Sequence, residues 1–131
     1  MEIVKLINEK ISEVHYSIGN KNGKKPTSES IELTNAVSSN VSFNDDKAQC
    51  VCIMTYELKA KDEELSAPFI RIAVHGLFSY DTSLDKKVIH VHAAKEIYPF
   101  LKETAENFLK MVNLSKITLP DIKFSVDLVT D

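Results

Sequence analysis

Three histidines are the first residues whose types and spacing could support chemistry, because imidazole is a common metal ligand. His90 and His92 would share one face of a strand, and His75 could supply a third ligand. In a helix the same pair would point about 200° apart and could not bind one ion. Residues 88–92 contain no Asp or Glu that could complete or orient a site. We therefore expect no metal site and interpret these residues as ordinary surface or interface histidines.

The two cysteines are the second possible source of chemistry. Cys50 and Cys52 lie in the apolar segment "AQCVCIMTYELKA", where Met54 and Tyr56 would share their face of a strand. Thiols buried among apolar groups have raised pKa values and low reactivity. The spacing is also too short to join distant segments through a disulfide. The sequence therefore favours reduced thiols that pack in the core.

Known catalytic motifs are missing from the sequence. Its three glycines form neither a phosphate loop nor a dinucleotide-binding motif, and no serine lies in a nucleophile elbow. The acidic clusters at 44–47 and 61–64 fall at expected turns, where solvated charge is the ordinary interpretation. We expect a protein that is not an enzyme and needs no cofactor.

Length and charge narrow the remaining classes. The chain has 131 residues and 44% hydrophobic content, which suits one domain, 1–131, with a single core. The net charge is −3 and the basic residues are scattered, so nucleic acid is not expected as a partner. The N-terminal segment carries charges among its apolar residues, unlike a signal peptide, and no stretch has the length of a membrane span. We expect a cytoplasmic protein without membrane insertion.

Apolar periodicity predicts the elements that must position any site. Alternating segments at 3–18, 31–43, 48–60 and 65–81 predict four strands, with a loop at 19–30. The period changes after residue 81, and 82–114 is mainly helical, although "VIHVH" at 88–92 fits either a strand or a helix. Residues 115–124 are expected to be extended. The predicted fold class is α+β: a four-stranded antiparallel meander followed by a long helix.

Three short segments, taken in this order, resemble SecB, the bacterial export chaperone, and its SecB-like relatives. They are "GLFSY" at 76–80, "IYPFLKETAENFL" at 97–109 and "ITLPDIKF" at 117–124. The resemblance implies a protomer that dimerises through its sheets and helices, then forms a dimer of dimers through the long helix. It also implies binding of unfolded polypeptides in apolar, aromatic-lined grooves, without nucleotide or metal. Pro99 would lie in the first turn of the main interface helix, where a missing N–H costs nothing.

Two sets of candidate site residues follow from the apolar pattern and the resemblance. The expected client-binding residues are Phe78, Tyr80, Tyr98, Phe100, Leu119, Ile122 and Phe124. The expected oligomer interface consists of Leu101, Ala105, Phe108, Leu109 and Val112. Apolar width on the helix beyond what one sheet face can cover favours a homo-oligomer, either a dimer or a tetramer.

The sequence departs from the SecB pattern where SecB binds the translocation motor. Arg71 lies at a position where an acidic residue is expected on the solvent face of the sheet, as do Lys10 and Val14 in the first strand. "SVDLVTD" follows where SecB has a second helix. These differences favour a stand-alone chaperone, for an unfolded protein or an antitoxin-like client, over delivery to the motor. The alternatives are an assembly module without a client and a carrier of a small hydrophobic ligand.

Overall fold

A computed structural model describes residues 4–19, 33–60, 67–114, 116–119 and 122. Its strands are β1 (Val4–Gly19), β2 (Leu33–Asn44), β3 (Gln49–Ala60) and β4 (Ala67–Tyr80), and its long helix is α1 (Lys86–Met111). A short 3-10 turn, Asp45–Lys47, joins β2 to β3. All strand pairs are antiparallel. The prediction of four antiparallel strands followed by one long helix is confirmed.

The order of strands across the sheet is β1-β4-β3-β2, which differs from a simple meander. β2, β3 and β4 pair consecutively as predicted, whereas β1 pairs with β4 and lies at the opposite edge from β2. Hydrophobic alternation reports which face of a strand is buried but not which strand lies beside it, so the sequence did not reveal this arrangement. The predicted loop at 19–30 and the acidic turn at 61–64 lie outside the described residues, apart from Gly19, which ends β1.

One face of the two central strands forms the core with α1. The buried residues of β3 are Cys50, Cys52, Met54, Tyr56 and Leu58, and those of β4 on the same face include Ile70, Ile72, Val74, Phe78 and Tyr80. These are the inward faces that the alternation predicted. α1 contributes a complementary row centred on Ile97, Leu101 and Ala105, each fully buried. Removal of this apolar surface from water is the main favourable contribution to folding.

Helix α1 continues without a break through the "VIHVH" segment and through Pro99. Asp85 caps its N-terminus by accepting a 2.8 Å hydrogen bond from the Lys87 N–H, so the "VIHVH" segment lies in the first turns of the helix. Pro99 lies well inside the helix. The expectation that it occupies the first helical turn is therefore wrong. Pro99 and Lys95 are both exposed, so the carbonyl that loses its N–H partner lies on the solvent side of the helix.

Candidate functional site

Helix α1 is narrower than the sheet that it covers. It packs mainly on β3 and β4, the two central strands. The outer strands of a four-stranded sheet lie roughly 14 Å apart, while a helix with its side chains is about 10 to 12 Å wide. The helix-side rows of β1 and β2 therefore extend beyond the helix on either side. These two rows are the candidate functional site.

The row on β1 is the more exposed of the two. Ile11, Val14 and Tyr16 lie on the helix side of the sheet, paired with buried residues of β4, yet they are 49%, 48% and 42% exposed. The Tyr16 ring meets the ring of Phe108 edge-on at 5.9 Å between centroids. We call these four residues the β1 surface. Because monomeric proteins rarely leave large apolar side chains exposed in a contiguous group, this surface is a candidate site for binding.

A β-bulge explains why sequence reasoning missed Ile11. The register between β1 and β4 shifts between Ile11 and Glu13, and the Ser12 hydroxyl at this shift donates a 3.1 Å hydrogen bond to the Ala73 carbonyl. The extra residue places Ile11 and Val14 on the same face although they are three positions apart. Strict alternation from Val14 assigns Ile11 to the opposite face. An odd spacing between apolar residues in one strand was the available signal.

The row on β2 is partly covered and contains polar groups. Val37, Val41 and Phe43 are half-buried, and each pairs with a buried residue of β3. We call these three residues the β2 surface. Ser39 lies between them in the same row, with its hydroxyl 2.9 Å from Nε2 of His90 on α1. Burial lowers the pKa of His90, which favours a neutral ring beside this serine. The β2 surface is therefore apolar, its polar neighbours Ser39 and His90 are uncharged, and it is less exposed than the β1 surface.

Most of the residues expected to bind a client lie in the core of the single chain. Phe78 is fully buried, and Tyr80, Tyr98 and Leu119 are buried as well. They are therefore inaccessible in the single chain, and their role in client binding stays a prediction. Among the other three, Phe100 and Ile122 are half-buried, and Phe124 lies outside the described residues. Aromatic residues at core periodicity are indistinguishable in the sequence from aromatic residues of a groove.

The expected oligomer interface divides in the same way. Leu101, Ala105 and Leu109 are each 0% exposed in the single chain and belong to its hydrophobic core. Their assignment to an interface stays a prediction, which a test of Leu101 can decide. Phe108 and Val112 are half-buried and keep some accessible surface. Phe100, which precedes Phe108 by about two helical turns, is also half-buried.

The histidines and cysteines considered for chemistry do not form a reactive site in the described parts of the chain. Within the described parts of the chain, no three His, Cys, Asp or Glu residues are close enough to bind a metal together. His90 and His92 lie on helix α1 and not on one strand face. Burial raises the pKa of Cys50 to about 11 and that of Cys52 to about 12, so both thiols are protonated at neutral pH.

The far face of the sheet carries an ion-pair group around Arg71. Its guanidinium lies 3.0 Å from the Glu13 carboxylate on β1 and 4.0 Å from that of Glu57 on β3. Lys10, opposite His75, also lies on this face. Val14 lies on the helix side, so it does not occupy the solvent-face position that the resemblance suggested. The charges of Glu13 and Glu57 are thus partly neutralised by Arg71.

Comparisons with known proteins agree with the fold. The solved structure of the Mycobacterium tuberculosis SecB-like chaperone Rv1957, in complex with a ChAD peptide from the Rv1956 HigA1 antitoxin, matches with a TM-score of 0.66. The two sequences are 12% identical, and the match covers 91% of this chain and 90% of the other. The chain therefore has a SecB-like fold, as the resemblance implied. No model of a known protein family matches the sequence, and no curated protein does either. Among the described helices, none has the length and apolar character needed to cross a membrane.

Proposed function

We propose that this protein is a homo-oligomeric, ATP-independent chaperone that binds extended apolar segments of unfolded clients in the cytoplasm. One observation carries the proposal: α1 covers the central strands and leaves apolar side chains of both edge strands accessible beside it, exposed on β1 and half-buried on β2. Reversible burial of a client's apolar segments needs only complementary apolar surface, without nucleotide or metal. The SecB-like fold, together with the peptide in the similar chaperone structure, supports the same class of function.

We assign the β1 surface to assembly. Its three β1 side chains are each more than 40% exposed and project from an edge strand beside Phe108. Permanent subunit interfaces are more apolar than transient ones and resemble a divided core. A second chain that covers this surface would bury Ile11, Val14 and Tyr16 without disturbing the core of either subunit.

We assign the β2 surface to clients. Val37, Val41 and Phe43 offer apolar contact around an uncharged polar position, Ser39, which suits weaker and reversible binding. The similar chaperone structure contains a peptide from an antitoxin, and an antitoxin-like segment is accordingly one candidate client. The ion pairs of Arg71 on the far face do not resemble an acidic docking site, so delivery to a translocation motor is not part of this proposal.

An aggregation assay tests the function. The purified protein should delay the light scattering of a chemically denatured model client on dilution, without added nucleotide. A Val37→Ser/Val41→Ser variant should lose this activity, because it removes apolar contact from the β2 surface. Ala36→Ser is the matched control, since Ala36 is exposed on the far face of the same strand. Circular dichroism and oligomer mass must be the same for all three proteins.

The main alternative is an assembly module whose apolar surface is used entirely in its own oligomer. It predicts that the unmutated protein does not delay aggregation at any ratio of protein to client. That result would reject the chaperone proposal. Equal activity of the Val37→Ser/Val41→Ser variant and the unmutated protein would reject the assignment of the β2 surface to clients.

A further inference from the structure

The far face of the sheet, opposite α1, has an apolar centre. Val51 and Ile53 of β3 and Leu77 of β4 point to this face, because their neighbours along each strand point into the core. Val51 pairs directly with Leu77, and all three side chains are half-buried although no described helix covers them. β3 therefore contains the uninterrupted apolar run "CVCIM". Such a run is typical of a strand that is covered on both faces.

Basic side chains lie beside this centre, on β1. The far-face positions of the four strands carry four basic and two acidic side chains, a net charge of +2, whereas the whole chain has a net charge of −3. The six residues are Lys5, Lys10, Lys59, Arg71, Glu13 and Glu57. Arg71 lies 3.0 Å from Glu13 and 4.0 Å from Glu57, so it pairs with both carboxylates. Lys5 and Lys10 are exposed and form no ion pair with a described residue.

The opposite margin of the far face is uncharged. On β2 this margin consists of Thr34, Ala36, Ser38, Asn40, Ser42 and Asn44. The far face thus changes across its width from basic at β1, through apolar at β4 and β3, to neutral and polar at β2. Since complementary charges favour one partner and one orientation, a partner that fits this face has an apolar stripe with acidic residues along one side.

We propose that an amphipathic helix of a partner protein, with an acidic flank beside its apolar stripe, packs on the far face of the sheet. A sheet with apolar residues on one face commonly covers them with a helix, as α1 does on the other face. A helix centred over β3 and β4 would lie about 7 Å from β1, which is one and a half strand spacings. Side chains extend about 5 to 6 Å from a helix axis, so acidic residues on its flank reach Lys5 and Lys10.

A second copy of the chain would fit this face less well than an acidic partner. Its own far face would offer β2, which has no charge, and Glu13 and Glu57, which are already paired with Arg71. Lys5 and Lys10 would therefore find no free carboxylate there. A nucleic acid is also disfavoured, because its backbone is bound by several cations and gains nothing from the apolar centre.

Three synthetic peptides test the chemistry of this surface. Each is a fluorescent helical peptide of about 18 residues with leucine at i, i+3, i+4 and i+7, and the three differ only in one flank, which is glutamate, glutamine or lysine. The glutamate peptide should bind at least about tenfold more tightly than the lysine peptide, because only its flank complements the lysines of β1. Added salt should weaken its binding, since exposed charges are screened. Equal binding of all three peptides would overturn the proposal.

Charge reversal on β1 provides the second test. Lys5→Glu/Lys10→Glu should exchange the preference, so that the lysine peptide binds more tightly than the glutamate peptide. Loss of folding would weaken the binding of both peptides and cannot produce this exchange. Lys95→Glu/Lys110→Glu, at exposed positions of α1, changes the net charge by the same amount and should keep the preference of the parent. A parent-like preference of Lys5→Glu/Lys10→Glu would show that the far face is not the binding site.

Substitution of the apolar centre locates the peptide independently of charge. Val51→Thr/Ile53→Thr should weaken binding of the glutamate peptide at least about tenfold, because threonine keeps the β-branched shape and removes apolar contact. Val37→Ser/Val41→Ser is the matched control, since it changes the β2 surface on the other side of the sheet. It should bind the glutamate peptide as the parent does, and thermal unfolding of both variants should stay cooperative. Loss of binding only in Val37→Ser/Val41→Ser would place the peptide on the β2 surface and overturn the inference.

The remaining outcomes separate this inference from a membrane surface and from the proposed function. Binding of the protein to vesicles of phosphatidylserine and phosphatidylcholine, without binding of the glutamate peptide, would replace the acidic partner by a lipid surface and overturn the proposal. The inference does not depend on the chaperone function, because the far face is opposite to the β1 and β2 surfaces. If the glutamate peptide binds as expected and the protein does not delay aggregation, the proposed function is wrong and the assignment of the far face stands.

Discussion

The hydroxyl of Tyr80, the last residue of β4, donates a 2.8 Å hydrogen bond to the carboxylate of Asp45 in the turn after β2. Lys86, in the first turn of α1, lies 3.2 Å from the other oxygen of the same carboxylate. The Lys86 ammonium is also 5.1 Å from the centre of the Phe43 ring, which meets the Tyr80 ring edge-on at 5.8 Å. Asp45 thus links the end of β4, the turn after β2 and the start of the helix.

We expect this link to make stability depend on acid pH. The hydrogen bond from Tyr80, followed by that from Lys86, lowers the pKa of Asp45 from its ordinary value of 3.8. Since the folded pKa is the lower one, the contribution is complete above the unfolded value and is lost as the pH falls through the folded pKa. Urea unfolding at a series of pH values should show that Tyr80→Phe loses less stability in acid than the parent. The two proteins should differ above pH 4, where the bond is intact in the parent.

Asp45→Asn is the control for this prediction because it removes the titrating group and keeps the size of the side chain. It should show the smallest acid dependence of the three proteins. An acid dependence that is the same in the parent and in both variants would show that Asp45 does not contribute.

Gly76 on β4 lies close to Ile97 of α1. A Cβ atom at this position would lie 2.7 Å from a ring carbon of Phe78 and 2.9 Å from Cδ1 of Ile97. Both side chains are fully buried and cannot move freely. Gly76→Ala should therefore lower the free energy of unfolding by about 1 to 3 kcal/mol, the usual cost of overpacking. The measurement is urea unfolding followed by circular dichroism.

A double-mutant cycle separates overpacking from a change in strand propensity. Ile97→Val removes the Cδ1 atom and should reduce the cost of Gly76→Ala, because the two positions compete for the same space. Equal costs in both backgrounds would mean that the contact with Ile97 is not responsible.

The accuracy of sequence interpretation varies along the chain for physical reasons. The faces of β3 and β4 were predictable because large apolar residues recur there at alternate positions, around Met54 in β3 and Val74 in β4. β1 was only partly predictable, since the bulge at Ser12 changes the phase of the alternation and conceals Ile11. The position of β1 beside β4 depends on pairing between distant segments, which local pattern does not encode.

The candidate site was less predictable than the fold. Phe78 was predicted to bind a client and Leu101 to lie in a subunit interface, but periodicity alone does not distinguish a side chain that packs in the core from one that binds a partner. The width of the helix relative to the sheet makes that distinction, and it becomes visible only after the elements are assembled. Tyr16 and Val41, which lie on edge strands, could be identified only from the strand order.

Leu101 provides a test of core packing. Because it is fully buried against the sheet, Leu101→Ala should cost about 2 to 5 kcal/mol in the free energy of unfolding, as other large-to-small core substitutions do. The folded fraction should keep its oligomer mass. A smaller oligomer with unchanged stability would instead place Leu101 in a subunit interface.

Val14 provides the corresponding test of assembly. It is 48% exposed on the β1 surface, so Val14→Glu should leave the circular dichroism spectrum unchanged in the single chain. In an oligomer that buries this surface, an unpaired charge costs several kcal/mol, on the order of 2 to 5. Light scattering should then give a smaller mass for Val14→Glu than for the parent. Val14→Thr, which keeps the shape without a charge, is the control.

A strictly monomeric parent at high concentration would reject the assembly proposal. An unchanged mass for Val14→Glu, with an oligomeric parent, would place the subunit contact elsewhere on the chain.

The rate at which Cys50 and Cys52 react with an alkylating agent should measure opening of the core, without any engineered cysteine. They are 1% and 0% exposed on the inward face of β3, and burial raises their pKa values to about 11 and about 12. Both the low thiolate fraction and the lack of access should make alkylation of the native protein by iodoacetamide very slow near pH 8, whereas unfolded protein reacts freely. Because the two thiols lie under the same helix, mass spectrometry should show both alkylated together, at a rate set by opening of the sheet from α1. Cys52→Ala should leave the rate at Cys50 nearly unchanged if its small cavity does not promote opening, which urea unfolding of the variant checks. Rapid alkylation of either thiol in the native protein would contradict the packing of β3 against the helix.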